Sequence, residues 1–230
     1  DWFTARGVPA RFIGHPRLVR PVDEAAARRR AVEMGVPGVA DGDERRRLVL
    51  LPGSRPAEVE RNRRDLVEVA RRLTERAAAR GERLAATCGP VSEHATGRML
   101  EAAAAAGLVL DAWPEELDPV ALDADLALAV SGTVTLDLAR LGTPMVGVFR
   151  VRRWQRALAA ALLTTPDRLL PNLVSGRRVV PEFVPWAGGL GPIDLIYMQY
   201  VRIAVFVKSD SAHISAEVTG AYNGTRDGRP

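Results

Sequence analysis

Two short stretches of this chain carry residues able to hold an anion: Pro52-Gly53-Ser54-Arg55-Pro56 and Val130-Ser131-Gly132-Thr133-Val134. Each joins a glycine, which lets backbone approach a ligand closely, to one or more hydroxyls. Each also stands between an apolar run and a segment with helical spacing. A strand that delivers such a turn to a helix start leaves first-turn amides unpaired and pointing outward, which suits a phosphate. The first turn adds the guanidinium of Arg55, whose fork matches phosphate oxygens. Ser and Thr also precede ordinary helices as N-caps, and helix starts far outnumber phosphate sites, so such a turn alone reads first as a cap. Two turns of one kind in one chain shift the reading toward a ligand.

The elements that must position these turns alternate along the sequence. A helix is expected over residues 23–34, ended by Gly35, Pro37 and Gly38, and an apolar run at 48–51 leads into the first turn. Leu66, Val69, Ala70, Leu73 and Ala77 then fall at helical spacing through residue 80. Strands are expected at 83–88, 108–110, 126–130 and 145–149, with helices at 92–106, 115–122 and 135–140 between them. Five strands alternating with four helices predict an α/β, Rossmann-like parallel sheet with helices on both faces. In such sheets ligands bind beyond the carboxyl ends of the strands, where both turns lie. Outside this block, a short strand is expected at 11–13 before Gly14-His15-Pro16, and an arginine-led apolar helix at 154–163.

Composition narrows the function classes. The 230 residues are 47% apolar and 26% charged, with a formal charge of +4. That is the composition of a soluble globular chain. Lys208 is the single lysine, and the arginines are interleaved with acids, so they read as solvated helix faces rather than a nucleic-acid stripe. Cys88 is the lone cysteine and can form no internal disulfide, which fits a reducing cytoplasm. His94 and His213 have no partners at metal spacing, so no metal site is expected. No apolar run reaches the roughly 18 residues of a membrane span. The chain begins Asp1-Trp2 with neither an initiator methionine nor a signal-peptide pattern, and is expected to be a piece of something larger.

Six blocks now stand in order: Gly14-His15-Pro16; Leu50-Leu51-Pro52-Gly53-Ser54-Arg55-Pro56-Ala57-Glu58-Val59; Ser131-Gly132-Thr133; Thr143-Pro144-Met145-Val146 with Arg150; Leu170-Pro171-Asn172-Leu173; and Pro181-Glu182-Phe183. In order and spacing they resemble the C-terminal half of lipid-A-disaccharide synthase, over about residues 2–184. The resemblance implies half of a two-domain GT-B glycosyltransferase, the half that binds the nucleotide sugar. It implies transfer of a diacylglucosamine from its UDP-linked donor to diacylglucosamine 1-phosphate, with inversion and without a bound metal or other cofactor. It also implies work at the cytoplasmic membrane face, with peripheral membrane contact, and no nucleic-acid partner.

Carried over residue by residue, the resemblance puts Ser54, Arg55, Ser131, Gly132 and Thr133 around the diphosphate, with Glu58, Arg150 and Asn172 in support. His15 falls at the interdomain hinge, or is a structural turn residue. Asp137 stands where the family usually has a glutamate suited to the ribose hydroxyls, and Pro185 where a glutamine is expected. The general base is expected in an N-terminal half outside this chain. The implied organisation is a hinge strand and linker over 1–22, a nucleotide-sugar domain over 23–188, and an unmatched tail over 189–230, fused or frameshifted. The alternatives are another UDP-sugar enzyme of the same architecture, an epimerase or transferase, and an inactive nucleotide-binding remnant.

Overall fold

The computed structural model describes residues 3–11, 15–36, 45–113, 115–150 and 167–186, excepting the side chains of 149, 150 and 183–186. The strand expected before Gly14, the helix expected at 154–163 and the tail from 189 lie outside the described residues. Among the described residues six strands form one sheet: β1 Arg46–Leu51, β2 Leu84–Cys88, β3 Leu110–Ala112, β4 Leu126–Val130, β5 Met145–Arg150 and β6 Glu182–Trp186. Every pairing is parallel and the spatial order is β3-β2-β1-β4-β5-β6. This is the doubly wound Rossmann order, in which strand succession reverses direction between β1 and β4.

Alternation along the strands divides the core in two. Leu48 and Leu50 of β1, with Leu126, Leu128 and Val130 of β4, face α3 (Pro56–Ala78) and α4 (Glu93–Ala106), where Leu66, Leu73 and Met99 close over them. Val49, Leu51, Ala127 and Ala129 face the other way. Against them lie α5 (Leu117–Leu122), α6 (Val134–Leu141) and α7 (Leu170–Ser175), joined at the margin by α1 (Pro16–Val19) and α2 (Glu24–Glu33). Each fully buried leucine contributes about 2 kcal/mol. Both faces are therefore sealed, and strands buried on both sides read as unbroken apolar runs.

Most elements lie where the apolar spacing puts them, and the differences have local causes. β3 begins at Leu110, because Leu108 is buried at the end of α4 while Val109 is 84% exposed. The expected helix at 115–122 starts at Leu117. Leu170–Ser175 is a helix with proline in its first turn, the one helical place proline suits. α3 and α4 are joined on their outer side by Arg98, which donates to Glu60 at 2.5 Å. Arg98, together with Arg63, holds the Glu60 carboxyl down to about 2. Cys88 is buried at the end of β2, and burial pushes its thiol up to about 12.

Candidate functional site

The register sets Leu51 beside Ala129, so β1 and β4 end level with one another and release their turns side by side. Between them opens a cavity of about 670 Å³. Gly53, Ser54, Arg55 and Glu58 form one wall, Ser131, Gly132, Thr133 and Asp137 the facing one. Of the residues that sequence reasoning assigned to a ligand, seven thus share one cavity at the reversal point of the sheet.

The first turn is closed on itself. Gly53 has φ +101°, a conformation that favours glycine, and an added Cβ there would stand 2.8 Å from Glu58 Oε2. Arg55 is the extended N-cap of α3, followed by Pro56. Glu58 reaches back from the first turn of the helix: its carboxylate accepts from the Arg55 guanidinium at 2.8 Å and from the Arg55 backbone N–H at 3.5 Å. The Arg55 side chain is nevertheless 80% exposed and the Glu58 side chain 15%. Asn62 donates to the Glu58 carbonyl at 2.8 Å and anchors this turn of helix from below.

The second turn is open. The N-cap of α6 is Thr133, and its side chain makes no capping bond. The ordinary side-chain cap that this turn by itself suggested is therefore not formed at Thr133. Thr135 Oγ1 donates to the Gly132 carbonyl at 2.7 Å, steadying the turn, while Ser131 Oγ makes a long 3.4 Å contact to the carbonyl of Arg168. An added Cβ on Gly132 would meet only the Val130 carbonyl, at 3.9 Å. The helix start thus faces the cavity with outward amides and free space, the arrangement that receives an anion.

Asn172 and Asp137 are engaged otherwise than the sequence suggested, and His15 takes the structural turn role. Asn172 is 1% exposed, and its amide is spent within the fold. It donates to the Val180 carbonyl at 2.8 Å and accepts from Val179 and Val180 N–H at 2.9 and 2.8 Å. It does not line the cavity, so support by direct contact is corrected to fastening α7 against the loop before β6. Asp137 does line the cavity, but its carboxylate is ion-paired with Arg17 of α1, so the group at this place is a pair and not a lone carboxylate. His15 is the N-cap of α1, accepting from Arg17 N–H through Nδ1 at 3.3 Å. Arg150 ends β5 with its backbone in register with Trp186, and its side chain is not among those described.

Sequence reasoning missed Arg17, Arg20, Asp118 and Arg168, which also line the cavity. Asp118 receives both its hydrogen bonds, each 2.9 Å, from the buried Arg140. Arg168 is held through its backbone. Glu182, with a side chain 2% exposed, accepts from Arg168 N–H at 3.0 and 3.1 Å and from Leu169 N–H at 2.7 Å. Its negative charge sits at the start of α7, where helix amides favour it. Glu182 stood inside a recognised block, and only the fold shows what it holds. Among the described residues no group of three or more His, Cys, Asp or Glu side chains gathers as a metal site.

The chain is 32% identical over 194 residues to a lipid-A-disaccharide synthase of Granulibacter bethesdensis, and 34% identical over 192 residues to one of Pseudomonas aeruginosa. Each alignment covers 80% of this chain and 44% or 46% of the relative, so the chain spans under half the length of these curated relatives. A crystal structure of WaaG, a glycosyltransferase involved in lipopolysaccharide biosynthesis, aligns at 12% identity with a TM-score of 0.44, over 91% of this chain and 50% of that one. The model of the lipid-A-disaccharide synthetase family matches residues 1–190, the greater part of the sequence and all of the residues that build the cavity, and the chain belongs to that family.

Proposed function

We propose that this chain is the donor-binding half of a glycosyltransferase that moves a diacylglucosamine from UDP to diacylglucosamine 1-phosphate. The observation that carries the proposal is the open, uncapped start of α6, set across one cavity from Arg55 at the reversal point of the sheet. A diphosphate leaving group develops charge as the sugar departs, and fixed amides, hydroxyls and a guanidinium are the donors that stabilise it. Ser54, Arg55, Ser131, Gly132 and Thr133 surround the diphosphate, and the Arg17–Asp137 pair lies one helical turn farther along α6. Glu58 shares the Arg55 guanidinium with the diphosphate, and Asn172 acts from behind the wall.

The acceptor and the general base belong, on this proposal, to the part of the relatives that this chain does not span. Residues 1–22 then form the hinge and linker, 23–188 the nucleotide-sugar domain, and 189–230 a separate tail. No helix among the described residues is long and apolar enough to cross a membrane. We place the work at the cytoplasmic face, where lipid-linked donor and acceptor meet a peripheral enzyme.

Calorimetric titration of the full chain with UDP tests the proposal. Saturable binding is expected, weakened by about 1.5 kcal/mol in Arg55→Ala, the lower end for a hydrogen bond to a charged group because this side chain is largely exposed. Absence of UDP binding by the folded wild-type chain overturns the proposal, and unchanged affinity in the variant removes Arg55 from the site.

A further inference from the structure

We propose that Arg17, oriented by Asp137, is a further residue of the diphosphate site. This rests on reading the cavity as the place of a UDP-sugar. Three carboxylates on the cavity wall each carry an arginine: Glu58 with Arg55, Asp118 with Arg140, and Asp137 with Arg17. The three pairs differ in what they leave for a ligand. The Arg140 side chain is 3% exposed and behind the wall, whereas Arg55 is 80% exposed and held on a helix end. Arg17 lies between these extremes, half-exposed itself and fixed by a carboxylate that is only 8% exposed.

That combination gives a guanidinium whose direction is set, on a residue that lines the cavity and stays half-exposed. An arginine has five donors in a rigid fork, and one nitrogen satisfies Asp137. Its backbone is fixed as well: the next residue, Leu18, is 4% exposed in the core, and His15 caps the helix before it. A cation pinned at both ends loses little freedom when an anion arrives. Asp137 belongs to the first turn of α6, and helix side chains lean toward the N-terminus, so Arg17 is drawn toward the open turn at Ser131. Asp137 on this account is a positioning residue that reaches the nucleotide through Arg17.

The test is calorimetric titration of the full chain with UDP, and competition by uridine, for wild type, Arg17→Ala and Arg17→Lys. Arg17→Ala should weaken UDP about tenfold, the scale of one charge-assisted hydrogen bond, and leave uridine within about twofold. Arg17→Lys should lose about threefold for UDP only, since a single ammonium cannot hold Asp137 and a phosphate in the same geometry. UDP affinity equal to wild type in both variants overturns the inference while the donor-site reading stands. Equal losses for UDP and uridine also overturn it, by making Arg17 a prop for α1. If Arg17→Ala melts early in a thermal scan, Arg17→Lys decides by the same comparison. A folded wild type that binds no UDP overturns the donor-site reading and this inference with it.

Discussion

The two turns at the centre of this fold have similar compositions and opposite states. The β1 turn is braced from within: Glu58, three residues into α3, bonds Arg55 and packs against Gly53. The β4 turn is uncapped from within and braced from outside, by the segment before α7 that Glu182 pins beside Ser131. Internal bracing makes a turn stable and occupies its donors. External bracing leaves amides and hydroxyls for a ligand. The two walls of the cavity therefore divide the labour: α6 receives the anion, and the β1 turn presents an arginine already shared with a carboxylate.

The strongest way to break the contrast is to remove the outside brace. Glu182→Ala leaves the backbone N–H groups of Arg168 and Leu169 without their acceptor, while Arg178 loses its 3.7 Å contact to Glu182 and keeps Asp167 at 2.7 Å. Stability should fall by about 3 kcal/mol in urea unfolding, the scale of two backbone hydrogen bonds to a carboxylate at about 1.5 kcal/mol each. A loss below about 1 kcal/mol would mean that the segment before α7 is held by Leu169 and Asn172 packing alone.

The next largest effect separates the glycines. Gly53→Ala meets both the positive φ and the Glu58 carboxylate, and should cost about 2 kcal/mol of stability. Gly132→Ala enters open space and should change stability by less than about 0.5 kcal/mol. Yet that methyl group projects where the anion is proposed to sit, so UDP affinity should fall about tenfold. Comparable melting temperatures for the two variants, or full UDP binding by Gly132→Ala, would erase the distinction between a closed and an open turn.

What could be read in the sequence was what depends on near neighbours. Apolar runs ending in Gly-Ser or Ser-Gly fixed the strands, the turns and the helices after them, because strand and helix periods are local properties. Asp137 pairs with a residue 120 positions away, so no spacing rule could reveal that its carboxylate was taken. Asn172 looked like a ligand residue because it is polar and lies in a recognised block. Burial to 1% turned the same amide groups inward, where any unsatisfied group is costly. The helix at Leu170–Ser175 was obscured by Pro171, which reads as a breaker until its place in the first turn is known.

The smallest predicted effect sharpens the contrast from the other side. In Glu58→Gln the amide oxygen can still accept from the Arg55 N–H, and Asn62 still holds the Glu58 backbone, so stability should change by less than about 0.5 kcal/mol. The substitution does remove the negative charge that competes with a diphosphate for the Arg55 guanidinium. If Glu58 only holds Arg55, UDP should bind more tightly by about 0.5 kcal/mol, roughly the value of an exposed ion pair released. The gain should vanish in the Arg55→Ala background, where no guanidinium is left to compete for. A weaker UDP affinity in Glu58→Gln, with the melting temperature unchanged, would show instead that the carboxylate itself touches the nucleotide, and the inner brace of the β1 turn would then be part of the binding surface.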